Sequence, residues 1–370
     1  MISQPTGVQA GAALALSGGG FRAALFHAGS LLRLNELGLL ASLARISSVS
    51  GGSITAGLLA ARWRALRCAA GKFENLTSEL VDPLRAFCRR HVDATAIGEG
   101  ALLPWKDAAT VVQDHYAEHL LGALTLQDLP DSPRFVINAT NFQTGRSFRF
   151  SKPYAGDYLL GLIEHPSFAL ALAVAASSAF PPFLSPLELK LPPGSFQRMT
   201  GASLNDRQDF TLHLQLTDGG VYDNLGLEPV WNRYQTVYVS DGGAPFAPEP
   251  KVGTAWHTQA LRAFDIATDQ ARGLRKRALI ADYVRGERTG AYWGIDTNIR
   301  AYPLADALGV HADKAHALAR LRTRLNPFSE GEQCELINLG YALTDAAVRS
   351  HHPPPESPPA AWPYPDYPLS

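Results

Sequence analysis

The amino-acid sequence predicts an α/β fold with a parallel sheet. Three observations carry that reading. The first seventy residues alternate strand, loop, helix, strand, loop, helix; both loops of that unit are rich in glycine; and two later strands end at Asp-Gly-Gly turns. Residues 12–17 are a short apolar run that stops at three glycines, as a buried strand feeding a tight loop does. From Phe21 to about Leu40 apolar residues recur at helical spacing, through Leu25, Ala28, Leu31, Leu32 and Leu37, and Gly38 ends the helix. A second strand, Ala44–Val49, runs into Ser50-Gly-Gly-Ser53 and then a helix to about Leu66. Residues 67–127 read as helical and amphipathic, either an insertion or a lid.

Arg134–Thr140 is a strand, Asn141–Gly145 a turn and Ser147–Phe150 its hairpin partner. Phe168–Ser178 is an alanine-rich helix ended by Pro181-Pro182, and residues 191–205 form a surface loop. Thr211–Thr217 and Thr236–Ser240 are strands, ending at Asp218-Gly-Gly and Asp241-Gly-Gly. A long helix covers about Ala260–Tyr283, with Arg272, Arg275, Lys276 and Arg277 on a solvated face. No linker divides residues 1–350, so they form one domain. The tail, 351–370, holds eight prolines and is expected to be disordered or extended.

The composition narrows the function classes. The 370 residues are 46% hydrophobic and 18% charged, an ordinary globular balance with enough apolar chain for a large core. With 33 basic and 34 acidic residues the net charge is −1, which argues against nucleic acid as a partner. Cys68, Cys88 and Cys334 are widely spaced and odd in number, which suits buried reduced thiols rather than a disulfide framework or a zinc site. His115 and His119 share a helix face but have no third ligand. The start of the chain lacks a signal-peptide pattern, and the longest apolar run, Phe168–Ala176, is far short of the roughly 20 residues that span a bilayer. A cytoplasmic protein is expected, with any lipid contact peripheral.

The loop Ser17-Gly-Gly-Gly-Phe-Arg22 joins a strand to a helix and converges backbone N–H groups on one point at the positive end of the helix dipole. Such a loop stabilises a phosphate or an oxyanion, or is simply a tight turn. Gly18, Gly20 and Ala23 fit a dinucleotide fingerprint, but the second strand ends in Ser50-Gly-Gly-Ser without the acid a ribose needs. No Gly-Lys-Ser/Thr follows, so the P-loop pattern fails too.

Ser50 ends a strand and opens a helix, with the small residues Ser48 and Gly52 two positions to either side, as a nucleophile elbow requires. A serine nucleophile needs a base. His257, His311 and His316 lie in no convincing motif. Asp218 and Asp241 each stand at a strand end before two glycines, and the pattern alone does not separate them.

Four blocks in order resemble the patatin-like phospholipases and, more distantly, the group IV cytosolic phospholipases: Ser17-Gly-Gly-Gly-Phe-Arg22, Ser48-Val-Ser-Gly-Gly52, Ala175-Ala-Ser-Ser-Ala-Phe-Pro-Pro182 and Asp218-Gly-Gly-Val-Tyr-Asp-Asn224. The resemblance implies a three-layer α/β/α architecture with a mostly parallel central sheet. It implies a Ser–Asp dyad of Ser50 and Asp218, the latter favoured over Asp241 because Val221 and Asn224 follow it. It implies an oxyanion hole at Gly18, Gly19 and Gly20, with Arg22 bracing the loop or meeting a substrate oxygen. Ser48 departs from the usual glycine before the nucleophile. The expected function is hydrolysis of acyl esters of phospholipids or related lipids through an acyl-enzyme. The expected partners are a lipid substrate and a membrane surface, with no metal and no cofactor. Phe21, Phe180 and Phe183 are candidates for an apolar groove. Two rivals are an esterase with a Ser–His–Asp triad and an inactive lipid- or nucleotide-binding protein.

Overall fold

The structure is a computed structural model that describes residues 7–93 and 108–370. Part of the stretch read as an insertion or a lid, residues 94–107, lies outside the described residues, as do residues 1–6.

In chain order the strands are β1 (Gln9–Leu16), β2 (Leu43–Val49), β3 (Cys68–Ala69), β4 (Lys72–Phe73), β5 (Arg134–Asn141), β6 (Arg146–Phe150), β7 (Tyr154–Asp157), β8 (Gly161–Glu164), β9 (Leu187–Lys190), β10 (His213–Asp218), β11 (Tyr234–Asp241) and β12 (Thr289–Gly294). β3 and β4 form a separate hairpin, on which Cys68 is exposed rather than buried as expected. The central sheet has the order β12-β11-β1-β2-β5-β6-β7-β8, with β10 and β9 branching from β5. From β12 to β5 every neighbour is parallel; the pairs beyond β5 and the β10–β9 branch are antiparallel. The expected three-layer architecture is therefore present, with an antiparallel wing added to the parallel centre.

Burial on both faces explains why the central strands read as unbroken apolar runs. Leu14, Leu16, Ile46 and Ile137 point to one face, and Ala13, Ala15, Val237 and Val239 to the other. The first face is covered by α1 (Gly20–Glu36), α2 (Gly51–Arg62), α3 (Leu170–Ser177) and, far along the chain, α5 (Glu330–His351); Phe26, Leu58, Val174 and Leu339 fill that interface. α1 and α5 touch backbone to backbone at Gly29 and Gly340, where any Cβ would strike the facing helix. Their contact also buries the ion pair Arg33–Asp345 at 2.7 Å. The second face carries α4 (Trp256–Val284), through Leu279, and the short helix Glu228–Trp231.

The described parts of 67–127 pack into the core through Leu80, Leu84, Val112, Tyr116 and Leu121. Beyond His351, the last residue of α5, the proline tail lacks helix and strand, as an extended segment does, but it is seated on the domain. Asn338 donates to the carbonyls of Tyr364 and Tyr367, both at 2.9 Å, and Leu369 is fully buried. No described helix is long and apolar enough to cross a membrane.

Candidate active site

The site forms where two strands meet head-on. Along one edge of β5, β2 pairs in parallel up to the couple Val49–Asn138. β10 pairs antiparallel from Asn141 back to the couple Asp218–Ala139. β6 occupies the other edge of β5 over the same residues, so β2 and β10 share one edge and run toward each other. They stop at adjacent β5 residues. Ser50, the residue after β2, therefore faces Asp218, the last residue of β10. Sequence patterning finds both strand ends but not the antiparallel direction of β10, which is what opposes them.

Ser50 has φ +50° and ψ −119°, a region that side-chain-bearing residues rarely adopt. Such strain costs about 1–3 kcal/mol and persists only where the surroundings hold it. The third block supplies the hold. The Ser50 N–H donates to Ser177 Oγ at 3.0 Å, and Ser177 Oγ donates to the Asn138 carbonyl at 2.6 Å. Ser177 Oγ also lies 2.9 Å from Ser53 Oγ, which donates to Ser48 Oγ at 2.9 Å. Ser48 thus takes part in the brace, which accounts for serine in place of glycine. The same α3 end reaches β10: Asp218 N–H donates to the Ala179 carbonyl at 2.9 Å and Gly219 N–H to the Ser177 carbonyl at 3.2 Å. Gly51 and Gly52 already belong to α2, three residues earlier than the sequence suggests. A Cβ on Gly51 would overlap the Gly20 carbonyl, and one on Gly52 the Leu16 carbonyl.

The two aspartates differ in environment. Asp218 is buried with no cation against it among the described residues. Burial pushes its carboxyl up to about 6, opposed only in part by the Gly220 N–H, at 2.7 Å, and the Ser50 hydroxyl. Asp241 is also buried, and burial alone would raise it. The Arg272 guanidinium at 3.9 Å, the Tyr292 hydroxyl at 2.8 Å and the Gly243 N–H at 2.9 Å outweigh that and hold it below the ordinary carboxylate value. Asp241 therefore ties loops together, while Asp218 is poised to take a proton near neutrality.

The glycine loop lies beside Ser50. Gly19 and Gly20 have φ of +144° and +63°, conformations that favour glycine. The N–H of Gly18, expected in the oxyanion hole, already donates to the Asn224 carbonyl at 3.0 Å. The N–H groups of Gly19 and Gly20, at the start of α1, have no acceptor among the described residues. Arg22 is buried and braces the loop. It donates to the Gly242 carbonyl at 3.3 and 3.2 Å, to the Leu321 carbonyl at 2.5 Å and to Thr323 Oγ1 at 2.7 Å. Burial lowers its pKa to about 10, still cationic at neutral pH.

Behind the loop stands His27, which sequence reasoning misses. Its Nε2–H donates to the Ser17 carbonyl at 2.9 Å, and its Nδ1 accepts from Ser240 Oγ at 2.8 Å. Burial lowers it to about 4, so it stays neutral and fixes the strand end that feeds the loop. No periodicity reveals it, because nearly every residue of α1 is buried.

Ser50, Asp218, Gly18, Gly19 and Asn224 line one cavity of about 340 Å³, within the range of small-ligand sites. Phe180, Phe246 and Phe264 form its apolar wall, and Arg262, Arg272, Glu249 and Asp269 its charged side. Phe21 is not part of it: the ring is fully buried, edge-on to Phe87. Phe183 is 61% exposed outside the cavity. His257, His311 and His316 are exposed and none lines it.

The model of the patatin-like phospholipases matches residues 14–231. Among solved structures, human GIVD cytosolic phospholipase A2 is similar, with a TM-score of 0.53 and 13% identity over 91% of this chain and 58% of that one. The same human protein in complex with methyl gamma-linolenyl fluorophosphonate gives a TM-score of 0.52 and 15% identity over 91% and 57%. At these identities the likeness is one of fold, and this chain spans less than two thirds of the human protein's length. No curated protein sequence matches the chain. All four motif blocks fall inside residues 14–231, where they build one cavity on the sheet that the human protein shares, and the chain belongs to the patatin-like phospholipase family.

Proposed function

We propose that the chain is a lipid acyl hydrolase working by a Ser50–Asp218 dyad. The observation that carries this reading is the opposition of a strained serine and a buried aspartate with a raised pKa at the ends of two converging strands. In the first half-reaction Asp218 takes the Ser50 proton as Oγ attacks the ester carbonyl. The oxyanion rests on the N–H groups of Gly19 and Gly20, each donor lowering the barrier by roughly 3 kcal/mol. Asp218 returns the proton to the departing alcohol, leaving Ser50 acylated. In the second half-reaction Asp218 takes a proton from water, whose oxygen attacks the acyl-enzyme, and passes that proton to Ser50 Oγ as the ester bond breaks and the fatty acid leaves. Asp218 suits both tasks because a base with a pKa of about 6 is ionised at neutral pH yet basic enough to share a proton.

The apolar wall of Phe180, Phe246 and Phe264 supports an acyl chain as the group bound there. Phe180 and Phe246, on the cavity wall, are 48% and 37% exposed, and Trp256 and Leu261 in the first turns of α4 are 81% and 47% exposed, which supports contact of these side chains with a lipid surface. The test is turnover of p-nitrophenyl esters of rising acyl length, with fluorophosphonate labelling of the folded protein. Wild type and Asp241→Asn turn over, and Ser50→Ala and Asp218→Ala do not. Full turnover by Ser50→Ala would remove the nucleophile and with it the proposal.

A further inference from the structure

The second face of the sheet is packed by α4 and the helix Glu228–Trp231 over β11, β1 and β12, but over β2, β5, β6 and β7 it opens into a cavity of about 840 Å³. This is a larger space than the one at Ser50, and its walls are different in kind. Five arginines line it: Arg45, Arg134, Arg146, Arg149 and Arg233. Arg45 and Arg134 are paired neighbours on adjacent strands, Arg45 facing Arg134 across the β2–β5 ladder. An arginine on a central parallel strand, where the neighbouring positions are apolar, buries a charge at a cost of several kcal/mol unless something compensates it.

Nothing among the described residues compensates it fully. Three acids among the described residues line the cavity; Asp157 and Asp131 are engaged elsewhere, and Glu228 offsets only one of the five arginines. Asp157 accepts from Asn141, Thr144 and the N–H groups of Leu159 and Leu160. Glu228 pairs with Arg149 at 2.8 Å, and Asp131 with Lys152 at 2.9 Å. Arg45, Arg134, Arg146 and Arg233 have no carboxylate partner among the described residues. Arg45 is 2% exposed. One of its nitrogens reaches the Pro229 carbonyl at 2.9 Å and its guanidinium lies over the Tyr234 ring, but its Nε has no acceptor among the described residues. The Nε of Arg149 is likewise buried without one. Burial lowers the pKa of Arg45, with nearby Arg233 and Arg134 adding to that and the tyrosines opposing it. Four guanidiniums without a carboxylate among the described residues line one roomy cavity, an arrangement that suits an acceptor with several oxygens and negative charge.

We propose that this cavity is a binding site for a phosphate monoester, whose dianionic oxygens sit among the Arg45, Arg134 and Arg233 guanidiniums and whose carbon portion lies against Tyr154 and Tyr234. The site is separate from the Ser50 cavity and does not depend on the chemistry proposed there. The same phosphate comes either on a soluble molecule or as a lipid headgroup, and two probes distinguish the sources. Glycerol 3-phosphate is titrated by calorimetry, with glycerol as the uncharged control. Binding to phosphatidylcholine vesicles with and without phosphatidic acid is followed by sedimentation. Arg134→Gln and Arg233→Gln are the variants, since both side chains are partly exposed and unpaired, and their melting curves report folding independently of binding. Wild type binds a phosphate-bearing probe saturably, and each variant weakens that binding roughly tenfold while melting as wild type does. Binding of the soluble probe assigns the site to a free organophosphate, and binding of acidic vesicles alone to a lipid headgroup. Failure of wild type to bind either probe, or equal binding by both variants, overturns the proposal.

Discussion

Replacing Asp218 by asparagine should make the protein inactive and more stable at once. The carboxyl titrates near 3.8 in an unfolded chain and at about 6 in the folded one. That separation of roughly two pH units corresponds to about 3 kcal/mol, at 1.4 kcal/mol per unit. The group is fully buried, so solvent does not screen the cost. The sign follows from proton binding. The folded state holds this proton more tightly than the unfolded state, so the group costs nothing below 3.8. The cost accumulates as pH rises from 3.8 to about 6 and stands in full above that. Asparagine keeps the shape, still accepts the Gly220 N–H and still faces Ser50, but carries no charge to bury. Urea unfolding at pH 8 should place the variant up to about 3 kcal/mol above wild type, and at pH 4 the difference should nearly vanish. A variant less stable than wild type at pH 8, or a gain equal at both pH values, would refute the reasoning that Asp218 is held in an unfavourable ionised state.

Three further outcomes follow from the same geometry. The profile of kcat/KM against pH should fall on the acid side with an apparent pKa of about 6, since the proposed mechanism uses Asp218 ionised; a limb below pH 4 would point instead to Asp241, whose carboxyl is held low. Gly51→Ala should cut kcat more than roughly 100-fold, because its Cβ overlaps the Gly20 carbonyl and drives the glycine loop from Ser50, a donor lost at an oxyanion hole costing about that much. Leu369→Ala should lower stability by about 2–3 kcal/mol in urea unfolding without altering ester turnover, because this fully buried side chain near the chain end anchors the tail.

Much of the site is legible in the sequence because it is built from backbone turns, and turns have a strict chemistry. Gly18–Gly20, Ser50-Gly-Gly and Asp218-Gly-Gly each mark a strand end, and the structure brings these three ends together. What the sequence hides is carried by long-range partners. Ser177 reads as one serine of an alanine-rich helix, yet it holds the Ser50 N–H and the Gly219 N–H. His27 is invisible because α1 is buried nearly all round, so no polar face sets it apart. The separation of Asp218 from Asp241 lies in Arg272 and Tyr292, which are distant in sequence from one or both. The tail fails in another way: proline content predicts its extended backbone but says nothing about the groove between α5 and its neighbours that seats Tyr364 and Leu369.

The meeting of β2 and β10 on one edge of β5 has a consequence for how such chains vary. The interval between serine and aspartate is counted in β5 residues, not in the length of chain that joins them. The β6–β8 wing and the 191–205 loop, which lie between β5 and β10 in the chain, leave that interval untouched when they lengthen or shorten, so long as the α3 end keeps its hold on both strand ends. A protein of this design can accept inserted segments or whole appended modules while Ser50 and Asp218 keep their spacing. The human phospholipase carries a similar fold in a longer chain, of which this one covers 58%.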